Sequence, residues 1–233
     1  MRGSSALAAL LLLAACTPPA TETTTAPAPA PRAAAAAPDR GVFALVQGGT
    51  DVFTESFTRT PERLETVLTG PAGNRAAITA DLATDATVTR IRVEEFRRAD
   101  TVAARTSEAV FMGDSVFLEQ AGQGPPLSAR RQIPAGSIPF VNPSPSLLEQ
   151  IVRRARAIGG SPVQVPIWAA SGGGQPATAT VILEGNQARI QISNVEVQLT
   201  LDESGRVFGG GVPVQGLTLE RRPPGATAPA PAP

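Results

Sequence analysis

Apolar and polar residues alternate with a period of two over most of residues 41–221. In the segment from Val195 to Leu201, apolar side chains occupy every odd position and polar side chains every even one. Successive side chains of a strand point to opposite faces, so this segment predicts a strand with one buried and one solvated face. The turn residues Asp202 to Gly205 follow, and residues 206–212 predict the second strand of a hairpin.

The same alternation recurs along the rest of the segment, interrupted by turn-forming Gly, Pro, Asn and Asp residues. The clearest further strands are predicted at residues 43–47, 51–58, 62–69, 75–82 and 87–96. A sheet with so many strands curls rather than staying flat. The pattern therefore predicts a mainly β protein, with an antiparallel curved sheet or half-barrel of about 11–13 strands.

Residues 146–158 break the alternation and predict one helix. Ser146 is the predicted N-cap, Glu149 three residues later would complete a capping box, and Gly159 ends the helix. Its apolar residues form a stripe, while Glu149 and Arg153 are predicted on the polar face. A helix of about 14 residues is marginal alone in water, so we expect it to cover the concave face of the sheet.

Composition changes at both ends of the chain. Residues 16–40 consist largely of Ala, Pro and Thr, and residues 222–233 largely of Pro and Ala. Such segments bury too little apolar surface to offset their ordering entropy, so we predict a disordered tether and a disordered tail. The chain is then divided into a signal segment at 1–15, the tether, a single β-rich domain at 41–221 and the tail.

The first fifteen residues contain one charged side chain, Arg2, and an apolar run that ends at Leu13. This run is too short for a membrane span, which needs about 20 apolar residues, but it is typical of an export signal. The following sequence, Leu13-Ala14-Ala15-Cys16, resembles the lipobox of bacterial lipoprotein signal peptides. The resemblance implies cleavage before Cys16, lipidation of its thiol and anchoring in a membrane. Because Thr17 stands where the Asp of retained lipoproteins would be, it also implies an outer-membrane address facing the periplasm.

The residue types that are missing restrict the chemistry. The chain has no His, Tyr or Lys, and Cys16 is its only cysteine. Nucleophile–imidazole pairs, imidazole ligands for zinc and lysine Schiff bases are therefore excluded. Twenty basic and twenty acidic residues balance, whereas nucleic-acid-binding proteins carry a strongly basic face. We expect a protein that is not an enzyme, holds no metal or cofactor and binds no nucleic acid.

Four residues are candidates to line a ligand cavity: Phe140, Ile151, Trp168 and Phe208. For Trp168, the only tryptophan, core packing is the alternative role. The four-proline segment from Pro134 to Pro145 is predicted either as a mobile lip beside the sheet or as an ordered strap leading into the helix.

Paired carboxylates are candidates for acid–base chemistry. The neighbours Glu94 and Glu95 fall on opposite faces of a strand, so they cannot share a proton. We expect one to be solvent-exposed and the other to form a salt bridge.

Three segments carry a resemblance to a known architecture: Gly48 to Phe57, Arg75 to Leu82 and Val88 to Glu94. In their order, and with the mid-chain helix, they resemble the half-barrel of the LolA and LolB lipoprotein carriers. They are also similar to periplasmic proteins of unknown function that share this shape. The resemblance implies a half-barrel across residues 41–221.

The first functional hypothesis is a non-enzymatic envelope lipoprotein that binds a lipid or other hydrophobic ligand inside its curved sheet. It rests on the excess of apolar residues at inward positions. The first alternative is a structural or interaction module that contacts another envelope protein through edge strands or through residues 134–145. The second alternative is a carboxylate-based enzyme acting on glycans, which would need two acidic side chains facing one cleft.

Overall fold

The computed structural model describes residues 37–123, 125–170 and 174–225. Over these ranges the chain forms fifteen strands, one α-helix and two 3-10 turns. The strands are β1 (Asp39–Gln47), β2 (Thr50–Arg59), β3 (Arg63–Thr69), β4 (Arg75–Leu82), β5 (Val88–Phe96), β6 (Arg105–Met112), β7 (Ser115–Gly122), β8 (Leu127–Gln132), β9 (Ile138–Phe140), β10 (Val163–Ala169), β11 (Gln175–Glu184), β12 (Gln187–Ile192), β13 (Val195–Leu201), β14 (Val207–Val212) and β15 (Leu217–Arg222). The helix, α1, is Pro145–Ile158, and the 3-10 turns are Pro71–Gly73 and Pro213–Gln215. In this described part, no helix is both long and apolar enough to cross a membrane.

All fifteen strands belong to one sheet, in the order β8-β7-β6-β5-β4-β3-β2-β1-β15-β14-β13-β12-β11-β10-β9. The first and last strands pair in the middle, where Leu45 lies opposite Leu219. Two arms extend from this pair, β2 to β8 on one side and β14 to β9 on the other. All neighbours are antiparallel except β9 and β10, which are parallel. The predicted mainly β fold, with one helix and a large curved, unclosed sheet, is confirmed.

The two arms curl until their side chains meet. Trp168 on β10 packs edge-on against Phe111 on β6, with ring centroids 5.8 Å apart and an interplanar angle of 81°. One continuous apolar core fills the space between the arms and includes residues of both. The two arms are therefore joined at this point by side-chain packing.

Strand β9 was not predicted, because it has three residues and contains Pro139, which cannot donate a ladder hydrogen bond. It pairs with β10 so that Ile138 lies opposite Ile167. Ile138 is fully buried and Val141 almost so. The segment from Pro134 to Pro145 is thus a packed strap that leads into the helix.

Helix α1 begins one residue earlier than predicted, and the predicted capping box is wrong. The cap is Ser144, whose hydroxyl oxygen accepts a hydrogen bond from the Leu147 N–H at 3.3 Å. Pro145 takes the first helical position, where its missing N–H is of no consequence. Glu149 does not reach back to the cap and does not lie on a solvated face, because it is 1% exposed. The predicted end is correct, since Gly159 adopts a φ of 82° there.

The helix occupies the concave side of the sheet at one end of the half-barrel. Its apolar stripe, comprising Leu147, Ile151, Val152 and Ala155, is completely buried. On its other sides Gln150 donates to the Ala86 carbonyl at 2.8 Å, and Arg154 donates to the Asp85 carbonyl at 2.9 Å. Both acceptors lie in the β4–β5 turn, so we call this the closed end. In an antiparallel meander, alternate turns lie at opposite ends, and the β3–β4 and β5–β6 turns form the open end.

Candidate ligand-binding site

Two adjoining cavities lie toward the open end. The inner cavity, of about 90 Å³, has apolar walls formed by Ile91, Val93, Ala109, Leu118, Val141 and Trp168. The outer cavity, which we call the mouth, measures about 800 Å³. Glu95 and Arg105 line both. The mouth therefore leads toward the apolar interior.

The inward face of the sheet changes from apolar to polar as it approaches the mouth. Along β5, Glu95 has the same orientation as the buried Ile91 and Val93. Arg105 lies directly opposite on β6 and binds both carboxylate oxygens of Glu95, at 2.6 and 3.1 Å. On the next pair of strands, Gln120 donates to the Ser107 hydroxyl at 3.0 Å. Cross-strand pairing thus satisfies these polar groups beside an apolar space.

Glu94 and Glu95 do lie on opposite faces, but both form ion pairs. Glu94 binds Arg92 on the outer face at 2.7 Å, and Glu95 binds Arg105 on the inner face. We expected one solvent-exposed carboxylate and one in a salt bridge. Both are instead partly exposed, at 33% for Glu94 and 44% for Glu95, and both are ion-paired, because arginine is available on both faces.

The rim of the mouth combines aromatic and cationic side chains. Phe53, Phe96, Arg75 and Arg97 contribute to its lining. The Arg75 guanidinium lies 4.9 Å from the centre of the Phe96 ring, and its Nη2 donates to the Asp100 carbonyl at 2.9 Å. Arg97 donates to the side-chain oxygen of Gln123. Both arginines are held in place by neutral partners.

Trp168 forms part of the inner cavity wall and is 2% exposed. Its indole N–H has no hydrogen-bond acceptor among the residues that the structure describes. Gly174 packs against the same ring at a φ of 72°, and a Cβ there would lie 2.6 Å from the Cζ2 atom of Trp168. Only glycine fits this position without displacing the indole, so the ring orientation depends on the β10–β11 connection.

The four predicted lining residues are not brought together. Trp168 lines the inner cavity, whereas Ile151 is a core residue on the buried face of α1 and Phe140 is half-buried against that core. Phe208 is 65% exposed because its neighbour Val207 takes the inward position on β14. Cys16 lies outside the described residues.

Sequence reasoning considered Glu95 only for acid–base chemistry, not as a lining residue, and it missed Arg105 and Ser107, which line the inner cavity with it. A signal for them was present in the alternation. Each has the inward orientation of its strand near that strand's open end, so a polar residue interrupts an otherwise apolar face. Arg75 and Arg97 gave no such signal, because they lie at strand termini next to turns.

A second polar cluster lies at the N-terminal end of the helix. The buried Glu55 carboxylate accepts hydrogen bonds from Ser144 Oγ at 2.6 Å, Ser146 Oγ at 2.7 Å, the Ser146 N–H at 2.9 Å and Thr66 Oγ1 at 2.8 Å. Burial raises the pKa of Glu55, and these hydrogen bonds oppose only part of that effect. The carboxylate joins β2 and β3 to the start of α1.

One turn further along the helix, the buried Glu149 is surrounded by arginines. It lies 3.4 Å from Arg59, 2.9 Å from Arg153 and 3.8 Å from Arg221. It also accepts a hydrogen bond from the Val207 N–H at 3.0 Å. Burial lowers the pKa of Arg59 to about 10 against the opposing influence of Glu149, so Arg59 stays charged at neutral pH. These contacts connect the helix to both arms.

No group of three or more acidic, His or Cys side chains arranged to hold a metal ion was found in the described ranges. The two buried carboxylates, Glu55 and Glu149, are each occupied by several donors from neighbouring elements. Their geometry accounts for the docking of the helix.

No family model and no curated protein matches the sequence. Among solved structures, the fold is similar to a DUF1089 family protein from Pseudomonas aeruginosa, at 16% identity and a TM-score of 0.50, over 68% of this chain and 88% of that one. It is also similar to a beta-barrel-like protein of the domain of unknown function DUF1849 from Brucella abortus, at 10% identity and a TM-score of 0.48, over 83% of this chain and 98% of that one. At 16% identity the Pseudomonas likeness concerns the fold alone.

Proposed function

We propose that this protein is a membrane-anchored lipoprotein of the bacterial cell envelope that binds a hydrophobic ligand within its curved sheet. The observation that carries the proposal is the pair of adjoining cavities, in which an open mouth leads to an apolar inner space. Ligand sites in proteins are typically concave and mainly apolar, with a few placed polar groups. The helix supports this proposal because it fills the closed end and leaves the open end accessible.

The inner cavity alone is small. A cavity of about 150 Å³ holds a molecule the size of benzene, so about 90 Å³ beside Trp168 has room for only the tip of an apolar chain. The mouth supplies the remaining volume. An oxygen of the ligand or a water molecule would give the Trp168 N–H the acceptor that it lacks among the described residues.

Ligand binding is tested by native mass spectrometry of the full chain carrying Cys16→Ser, which removes the only thiol. We expect dodecanoate, added below its micelle concentration, to form a one-to-one complex. Ala76 lines the mouth, and Ala77 beside it on β4 points to the opposite face. Ala76→Phe should weaken the complex about tenfold or more, while Ala77→Phe should leave it unchanged. Equal binding by both variants, or no complex with the parent chain, would contradict the proposal.

Anchoring is a separate part of the proposal and depends on Cys16, at the end of Leu13-Ala14-Ala15-Cys16. Multiple acyl chains on one residue give stable membrane attachment without a spanning helix. Cells that express the chain and are fed radiolabelled palmitate should yield labelled protein in the outer-membrane fraction. Cys16→Ser should abolish the label and release the protein. Label retained by that variant would show that the lipid is attached elsewhere.

A further inference from the structure

We infer that the ligand is an anionic amphiphile, whose apolar tail enters toward Trp168 and whose carboxylate or phosphate head binds Arg75 and Arg97 at the mouth. This inference rests on the proposed hydrophobic-ligand function and specifies the chemical class of the ligand. It follows from the charges around the two cavities.

The carboxylates that line the cavities are already paired with arginines. Glu95 is bound by Arg105 at 2.6 Å. Glu108, the other acidic lining residue, is bound by Arg90 at 3.2 Å and lies 3.7 Å from Arg92. Both carboxylates are therefore charge-compensated by arginine, so they do not favour a cationic ligand.

Three lining arginines form no ion pair with any residue in the described part of the chain. They are Arg75 and Arg97 at the mouth and Arg131 beside the inner cavity. Arg75 and Arg97 instead donate to a backbone carbonyl and to a neutral amide. The site therefore carries an excess of positive charge that no described carboxylate compensates.

Arg75 and Arg97 are joined through one turn. Arg75 donates to the Asp100 carbonyl, and the Asp100 N–H donates to the Arg97 carbonyl at 2.8 Å. The Asp100 carboxylate is exposed and pairs with neither arginine. Guanidinium groups present planar, diverging donors that match the oxygens of carboxylates and phosphates. Arg75 and Arg97 each donate to one described acceptor, so the remaining N–H groups of their guanidiniums can bind an anionic head at the rim.

The mouth that the two arginines line also contains apolar surface. Phe53, Leu68 and Leu217 line the same mouth, and Leu68 is 6% exposed. A charged head is costly to bury, whereas an apolar tail gains free energy with each methylene removed from water. A head at the rim and a tail directed inward satisfy both requirements.

The test compares four ligands with the same tail, namely dodecanoate, dodecyl phosphate, dodecanol and dodecyltrimethylammonium, all below their micelle concentrations. Isothermal titration calorimetry with the full-length Cys16→Ser chain should give the tightest binding for the two anions and the weakest for the cation. Adding Arg75→Gln and Arg97→Gln should weaken the anions about tenfold, because hydrogen bonds to charged groups are the stronger ones. Dodecanol binding should not change.

A charge-matched control carries Arg63→Gln and Arg189→Gln, which remove two arginines that pair with the exposed carboxylates of Glu65 and Glu184. This control should bind the anions as the parent does. Equal affinity for dodecanol and the anions, insensitive to the mouth substitutions, would overturn the inference and leave the proposed function intact. No binding by any of the four would overturn both.

Binding of inorganic phosphate distinguishes a site for the headgroup of an amphiphile from a site for a free anion. The inference requires that inorganic phosphate bind much more weakly than dodecyl phosphate. If both bind equally well, the mouth binds a free anion, and the inference that the ligand is an anionic amphiphile is wrong.

Discussion

At the scale of single residues, the buried charges of this protein connect the helix to the sheet. Glu149 is the clearest example, since it is 1% exposed and lies within ion-pair distance of Arg59, Arg153 and Arg221. Removing one partner of a buried ion pair leaves the others uncompensated, which costs far more than the loss of a surface pair. The stability of the closed end therefore depends on a few acidic side chains.

Glu149→Ala should lower the free energy of unfolding by about 3–5 kcal/mol, because Arg59 and the Val207 N–H lose their buried acceptor. The matched control is Glu184→Ala, which removes a carboxylate 65% exposed and paired with Arg189. That change should cost about 0–1 kcal/mol. Urea unfolding followed by circular dichroism measures both, and similar costs for the two variants would refute the role given to Glu149.

Glu55 gives a pH-dependent prediction. Burial raises its folded-state pKa above the ordinary 4.5, so the folded chain holds this proton more tightly than the unfolded chain. The resulting stability is fully present below pH 4.5 and is lost as the pH rises through the raised folded value. Relative to Glu55→Gln, the parent chain should become progressively less stable as the pH rises from 4.5 toward neutrality.

Urea titrations at several pH values measure this difference. Glu65→Gln, which changes a carboxylate 57% exposed, is the control and should show no such trend. A parent chain that gains stability over Glu55→Gln as the pH rises would mean that the hydrogen bonds from Ser144, Ser146 and Thr66 outweigh burial.

At the scale of elements, sequence patterns identified most strands but not their polar contacts. Alternation located β13 and β14, because a strand with one buried face has an apolar side chain at every second residue. The helix was predicted from its apolar stripe, yet its cap was placed on Ser146 instead of Ser144. The Ser146 N–H is bound by Glu55, which lies 91 positions away in the sequence. Ser144 caps the helix instead. Contacts between distant segments of this kind leave no local signal.

The β10–β11 connection offers a test at the same scale. Gly174→Ala should destabilise the fold by about 1–3 kcal/mol beyond backbone strain, because the new methyl group meets the Trp168 ring. Gly185→Ala is the control, since Gly185 also has a positive φ, of 58°, but a methyl group added there would have no neighbouring atom within 4 Å. Only the first variant should shift the Trp168 emission spectrum. Identical effects on stability and emission would contradict the packing of Gly174 against the indole.

At the scale of the whole molecule, the two ends of the half-barrel differ in chemistry. The closed end is filled by a helix whose polar groups are bonded to turns and strands. The open end combines an apolar interior with a rim that carries Arg75 and Arg97. The fold class could be predicted from the alternation and length of the sequence. The mouth could not, because it arises where turns far apart in sequence meet.

Trp168 is the only tryptophan, and the chain has no tyrosine, so its fluorescence reports on the inner cavity alone. The decisive test of ligand binding is a titration of the full chain carrying Cys16→Ser with dodecanoate brominated near the end of its tail. We predict saturable quenching of Trp168, reversed by unlabelled dodecanoate and weakened by Ala76→Phe. Quenching that does not saturate, and that matches the quenching of free N-acetyltryptophanamide, would show that no tail reaches the cavity and that the proposed ligand site is wrong.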